Sequence, residues 1–242
     1  MDNTLHTSVD AVLKLRNLYM SYGKTHALRG VSLDIPKGKI VGILGPNGSG
    51  KTTLIKTVMG LINDYKGEVI IAGHLPGPAA NAHISYLPDR SHIPEWLTVR
   101  QAVSFFADFY KDFDKDHAHA MLTSMKIPTN KKLKALSRGM QEKVQLSLVM
   151  SRRADLYVLD EPIGAVDPAS REFIIDTILR NFPEGSSILL STHIIADIEP
   201  ILDVAVFLKD GKVVMHDEVE KIREEHGTSL DGLFREVFRN VY

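Results

Sequence analysis

The chain has 242 residues, 44% of them hydrophobic and 24% charged, enough to bury a substantial core in one large domain. Its 29 Lys and Arg against 30 Asp and Glu leave a formal charge of −1, which disfavours DNA or RNA as the main partner. Cysteine is absent, excluding disulfides and Cys-ligated zinc and suiting a reducing compartment. The opening Met1-Asp2-Asn3-Thr4-Leu5 lacks the basic-then-apolar form of a signal peptide. No apolar run approaches the roughly 18 residues that span a bilayer, so the chain is expected not to cross a membrane by itself.

Val12, Leu13 and Leu15, then Val31, Leu33 and Ile35, alternate with polar residues around Ser21-Tyr22-Gly23-Lys24 and predict antiparallel strands. Lys39-Ile40-Val41-Gly42-Ile43-Leu44 reads as a short buried strand, and Thr52 to Met59 as an amphipathic helix. Between them, Gly45-Pro46-Asn47-Gly48-Ser49-Gly50-Lys51-Thr52 fits the pattern G-x-x-x-x-G-K-[ST]. A strand, a tight glycine turn and a helix N-terminus aim backbone N–H groups and the positive end of a helix dipole at one point. Lys51 can neutralise the β- and γ-phosphates there, and the Thr52 hydroxyl can ligate Mg²⁺. The motif implies a nucleoside triphosphate ligand.

Further along, Gly67 to Gly73 predicts another strand pair and His74 to Pro78 a surface turn. From Pro94 to Arg153 the period is helical, with Thr98 and Gln101 as a capping box. Phe105, Phe106, Phe109 and Tyr110 behind it are mainly core positions, with a partner groove as the alternative. Leu136-Ser137-Arg138-Gly139-Met140-Gln141 opens a helix running to about Arg153, with Ser137 as its N-cap. By itself this is either an ordinary capped helix or a second helix N-terminus that receives anionic oxygens.

Leu156 to Asp160 is an apolar strand ending in the acids Asp160 and Glu161. Asp160 can hold Mg²⁺ through its waters, and Glu161 can orient or deprotonate an attacking water. A helix over Ser170–Arg180, a strand over Ser187–Ser191, a helix over Ile194–Ile201 and strands over Val204–Leu208 and Lys212–Met215 follow. This alternation predicts an α/β core with a mostly parallel sheet. The helical stretch from about 90 to 153 is then a lobe inserted in a single domain spanning 1–242. Leu230, Leu233, Phe234, Val237, Phe238 and Val241 form a closing helical stripe opened by the capping pair Thr228–Asp231. It is expected to fold back on the core, with a second subunit as the alternative partner.

In this order the motifs resemble the nucleotide-binding domain of an ATP-binding cassette (ABC) transporter, over Leu13 to Val237. The resemblance implies a P-loop NTPase core with an N-terminal antiparallel β subdomain and an inserted α-helical subdomain. It implies that Tyr22 stacks on adenine, where the residues alone leave a turn tyrosine equally open. Gly45 to Thr52, with Thr53 behind it, is similar to Walker A, and Asp160 and Glu161 to Walker B and its catalytic glutamate. Ser137 to Gln141 stands at the signature position, whose usual text is Ser-Gly-Gly-Gln. Ala165-Val166-Asp167 resembles the D-loop. His193 in Ser191-Thr192-His193 resembles the switch histidine, whereas a lone His after an apolar strand is otherwise a capping or core residue.

Two positions depart from that pattern. Asp89, in Tyr86-Leu87-Pro88-Asp89, stands where the family has Gln. Its carboxylate can meet Mg²⁺ or its water but cannot donate a hydrogen bond as an amide does. Arg138 replaces the first signature glycine and Met140 interrupts Gly-Gln, while Ser137 and Gly139 are kept.

The implied activity is ATP hydrolysis at two sites made by a head-to-tail pair, a homodimer or a paired cassette subunit. Lys51, Glu161 and His193 would carry catalysis. Tyr22, Gly45 to Thr53, Ser137, Gly139 and Asp167 would bind ATP, and Thr52, Asp160 and Asp89 would serve Mg²⁺. Transport would require separate integral membrane permease subunits, docking near Tyr86 to Trp96 and holding the chain peripherally on the cytoplasmic face. The Arg-Gly-Met signature, the short tail and Ser229-Leu230-Asp231-Gly232-Leu233-Phe234 resemble exporter cassettes. The alternatives are an importer-type cassette and a soluble cassette ATPase acting on nucleic acid or ribosomes.

Overall fold

The protein is described from a computed structural model at residues 10–164 and 166–239. Its first half contains β1 (Ala11–Tyr22), β2 (Thr25–Pro36), β3 (Ile40–Leu44), α1 (Lys51–Val58), β4 (Lys66–Ile71), α2 (Pro78–Asn81) and β5 (Ile84–Leu87). Three helices follow: α3 (Val99–Phe109), α4 (Lys115–Ser124) and α5 (Arg138–Met150). The last third holds β6 (Leu156–Asp160), α6 (Pro168–Arg180), β7 (Ser187–Thr192), β8 (Val204–Lys209), β9 (Lys212–Glu218), α7 (Val219–His226) and α8 (Leu230–Val237).

β1 and β2 form the expected hairpin, paired from Leu13↔Ile35 to Tyr22↔Thr25 with register shifts between Leu15 and Tyr19 and between Met20 and Ser21. β4 joins the other edge of β1, giving an antiparallel sheet of order β2-β1-β4. The second strand expected near Gly73 does not form. Ala72 and Gly73 turn the chain at φ 47° and 85°, and only an isolated bridge from Ile71 to His74 remains.

The larger sheet has the order β5-β6-β7-β3-β8-β9, parallel except for β9 at its edge. Every residue of β3, β6 and β7 is buried, as strands covered on both faces must be. On one face, Leu54, Ile55 and Val58 of α1 pack with the antiparallel sheet against Val41, Ile43 and Leu189. On the other, Ile174 and Ile178 of α6 and Leu233 and Phe234 of α8 pack around Tyr157, Leu190 and Phe207. The closing stripe thus folds back on the core. Ser229, rather than the pair Thr228–Asp231, caps its helix by accepting from the Gly232 N–H at 3.1 Å. Val241 of that stripe lies outside the described residues.

The segment Ile194–Ile201 is not the helix that its apolar spacing predicts. Only a 3₁₀ turn forms, over Glu199–Ile201. Pro200 has no N–H to donate and disfavours helical backbone at Glu199. Buried Ile195 and Ile198 produce the misleading period.

α3, α4 and α5 enclose their own cluster around Val103, Phe106, Leu122 and Leu148. The capping box of Thr98 and Gln101 is present at the start of α3. Phe105 and Phe109, by contrast, are not core: they are 50% and 70% exposed and stack on each other at 6.0 Å. Among the described residues no helix is long and apolar enough to cross a membrane.

Arg152 joins this helical lobe to the sheet. Its buried guanidinium holds Asp112 at 2.9–3.2 Å, donates to the carbonyls of Ala82 (3.1 Å) and Ile84, and lies 3.9 Å over the Tyr110 ring. Removing it orphans two carbonyls and a carboxylate together. Arg152→Met should therefore destabilise the protein by about 3 kcal/mol, read as a lower urea midpoint. Asp112→Asn, altering the more exposed partner, should cost less.

Candidate functional site

Sheet order places β7 between β3 and β6, with Leu44 paired to Thr192 and Ser191 to Asp160. The glycine loop, His193 and the Asp160–Glu161 pair therefore leave the sheet side by side, at the carboxyl ends of parallel strands. Neighbouring the loop, β2 is so close that a Cβ on Gly50 (φ 109°) would sit 2.7 Å from the Ala27 carbonyl oxygen. Only glycine lets the loop rest there.

Lys51 is turned inward and buried. Its Nζ donates to the carbonyls of Gly45 (2.7 Å) and Pro46 (3.3 Å) and lies 3.2 Å from Glu161 Oε1. Among the described residues no side chain caps the start of α1, which leaves its first N–H groups open to an anion. An inward cation, an uncapped helix end and a glycine-lined approach fit a polyphosphate.

Thr52 Oγ1 stands 3.4 Å from Asp160 Oδ1, which also accepts from the Ser191 hydroxyl at 2.6 Å. Burial pushes the Asp160 carboxyl above its usual range. The Ser191 hydrogen bond opposes this, the charges of Asp89 and Glu161 add to it, and Thr52 opposes it again. An oxygen-only donor set beside crowded carboxylates fits a hard divalent cation such as Mg²⁺.

Glu161 follows β6 in the left-handed region, at φ 51°, which non-glycine residues rarely adopt. Its N–H donates to both the carbonyl and the hydroxyl of Ser191 at 3.1 Å. Its Oε2 lies 2.9 Å from His193 Nδ1. Backbone and side chain are thus fixed separately by the end of β7, and the carboxylate can meet a water beside the phosphate loop.

Lys51, Thr52, Glu161 and His193 border a cleft of about 490 Å³, which Asp160 does not line. The hairpin contributes Tyr22, and the loop contributes Asn47, Gly48 and Gly50. The start of α1 supplies Lys51, Thr52 and Thr53, and the far wall supplies Asp89, Glu161 and His193. Thr25, His26, Ala27 and Gly164 line it as well, and the sequence reading did not single them out. The signal for Thr25 and His26 was the two-residue turn, which pairs them with Tyr22 and Ser21 across the hairpin, with Ala27 next along β2.

Other candidate residues lie elsewhere. Gly45 and Pro46 form the underside of the loop through their carbonyls. Ser49 is buried, and its hydroxyl has no partner among the described residues. Ser137 caps α5 by accepting from the Met140 N–H at 3.3 Å, and neither it nor Gly139 lines the cleft of its own chain. Asp167 caps α6 through the N–H and hydroxyl of Ser170 (3.1 and 2.6 Å), and Ala165 lies outside the described residues. A second cleft of about 360 Å³ between core and lobe shares Asp89 and Glu161 with the first and adds Asp160, Arg138 and Gln141.

The family model described as ABC transporter matches residues 28–164. The SkfA peptide export ATP-binding protein SkfE of Bacillus subtilis (strain 168) is 29% identical over 88% of this chain and 92% of its own length. The taurine import ATP-binding protein TauB of Jannaschia sp. (strain CCS1) is 31% identical over 94% of this chain and 88% of its own. A solved ATP-binding subunit of an ABC transporter covers 93% of this chain and 98% of its own, with a TM-score of 0.84 at 27% identity. The dimeric structure of the bacterial ABC transporter cassette MJ0796 covers 85% and 98%, with a TM-score of 0.74 at 25% identity.

Glu161→Gln keeps the size of the side chain and an oxygen acceptor but removes the carboxylate that could act as a base. Phosphate release from ATP should fall by about a hundredfold or more while equilibrium nucleotide binding persists. Hydrolysis at the unaltered rate would move the general base to another residue.

Proposed function

The chain belongs to the ABC transporter family of ATP-binding subunits and is an ATPase, and on that premise we propose how its residues divide the work. The observation that carries the proposal is the convergence of Lys51 and His193 on the two oxygens of Glu161, at 3.2 and 2.9 Å, beside the glycine loop. Tyr22 stacks on the adenine, and Gly45 to Thr53 wrap the triphosphate. Lys51 exchanges Glu161 for β- and γ-phosphate oxygens. The freed Glu161 takes a proton from the attacking water, and His193 holds the other end of that carboxylate. Thr52 and Asp160, with Asp89 reaching a bound water, would hold Mg²⁺, which neutralises charge developing on the phosphate oxygens. Most of the acceleration comes from positioning and fixed charge rather than covalent chemistry.

Ser137, Gly139 and Asp167 serve a second copy in this proposal. A head-to-tail pair, of identical chains or with a paired cassette, brings the signature of one chain to the phosphate loop of the other. The dimeric MJ0796 cassette supports this reading. Residues 1–242 act as one domain, with the lobe over about 90–153 transmitting the nucleotide state. Integral membrane permease subunits dock near Tyr86 to Trp96 and hold the chain peripherally on the cytoplasmic face of the membrane. Export is favoured by Arg138-Gly139-Met140 and by the Ser229 to Phe234 ending; SkfE and TauB, an export and an import protein by name, are similarly distant. Affinity purification from detergent-solubilised membranes should recover the chain with a polytopic membrane protein whose presence stimulates its ATPase rate. Recovery only as a free species or with ribosomes would overturn the transport assignment.

Asp89 allows a sharper test. Asp89→Ala should lower the ATPase rate by roughly tenfold, the scale of one charged hydrogen bond, and weaken its dependence on Mg²⁺. Asp89→Gln should retain activity, because an amide oxygen can accept at the same place. Identical Mg²⁺ titration curves for all three proteins would make Asp89 a bystander.

A further inference from the structure

His26 is a residue of the nucleotide cleft with no part in the chemistry above. It lies on β2, one residue after Thr25, and pairs across the hairpin with Ser21, the neighbour of Tyr22. The cleft runs from Tyr22 at the hairpin end to Lys51 and Thr52 at the phosphate loop, and His26 lines it with Thr25 and Ala27. Ala27 fixes the scale of this wall, because its carbonyl is the group against which Gly50 of the loop is pressed. His26 therefore stands between the aromatic ring proposed for the base and the glycines proposed for the phosphates. A nucleotide spanning those two points has its sugar at that level.

The ring is also held. Ser21 Oγ lies 2.8 Å from His26 Nδ1, so one nitrogen is engaged and Nε2 is the remaining polar atom. If the serine donates, Nε2 carries the hydrogen and is a donor; if Nδ1–H donates to the serine, Nε2 is an acceptor. A phosphate oxygen, which only accepts, suits just one of these tautomers. A sugar hydroxyl both donates and accepts, and suits both.

We propose that His26, oriented by Ser21, reads a ribose hydroxyl of the bound nucleotide and makes the site selective for ribonucleotides over deoxyribonucleotides. The proposal rests on the assignment of this cleft to ATP and adds a specificity determinant to it. A site built to bond a hydroxyl rejects the analogue lacking it, because its own polar group is then left unpaired.

The test is calorimetric titration of the full chain with ADP, 2′-deoxy-ADP and 3′-deoxy-ADP, ligands that exclude turnover. The unaltered protein should prefer ADP over at least one deoxy analogue by about three- to tenfold, the range of one neutral hydrogen bond. His26→Ala should bind ADP as weakly as that analogue while the analogue's own affinity stays unchanged. Ser21→Ala, which frees the ring without removing it, should lose part of the preference. Both side chains are exposed, so neither change threatens the fold. Equal affinity for all three ligands in the unaltered protein would overturn the proposal. So would a preference that survives His26→Ala, or a loss that falls on all three ligands alike. Lys51→Ala separates the two levels: if it leaves ADP binding intact, the cleft assignment itself fails. If it abolishes binding while His26→Ala changes nothing, only the ribose reading fails.

Discussion

The site depends on the pairing register of three buried parallel strands. Along β3, β7 and β6 successive side chains alternate between two apolar clusters. Val41, Ile43, Leu156, Val158 and Leu189 face one; Ile40, Leu44, Tyr157, Leu159, Ile188 and Leu190 face the other. A slip of one residue would send Tyr157 and Leu159 into space shaped for Leu156 and Val158. The same slip would take Ser191 away from Asp160 and His193 away from Glu161. Packing on both faces of the sheet thus enforces an arrangement of polar groups that contributes little packing itself.

The sequence is legible wherever function requires particular residue types within a short stretch. The glycine loop shows because backbone must approach phosphate, and the acids after Leu156-Tyr157-Val158-Leu159 show because an apolar strand must end before a charge can meet water. His26 and Ala27 were silent because their relevance comes from a hairpin folding onto a loop more than twenty residues away. The role of Ser191 was hidden in the same way: its hydroxyl matters only once β7 lies beside β6. Ile194 to Ile201 misled for the opposite reason, since buried isoleucines mimic a helical period that Pro200 forbids. Phe105 and Phe109 sit on the outer face of α3, a distinction that hydrophobicity alone does not draw.

Electrostatics explain why the two clefts are not independent. Asp89 and Glu161 belong to both, and the charges of both act on Asp160. With Lys51 held against Glu161, the local balance is acidic, unfavourable for a polyphosphate unless a cation arrives with it. In the proposed mechanism, drawing Lys51 onto phosphate would leave Glu161 with His193 and change the field felt along the lobe-facing wall, where Arg138 and Gln141 stand. On that proposal, occupancy at the phosphates would reach the joint between core and lobe through the shared side chains Asp89 and Glu161.

The left-handed backbone at Glu161 sets a limit on how far this fold can be stabilised. A glycine there would adopt φ 51° freely, whereas the glutamate carries strain on the order of 1–3 kcal/mol. Ser191 offsets part of that strain by taking the strained N–H on two oxygens. The residue best suited to the backbone is therefore not the residue suited to the chemistry. At this one position selection for thermal robustness and selection for turnover pull in opposite directions.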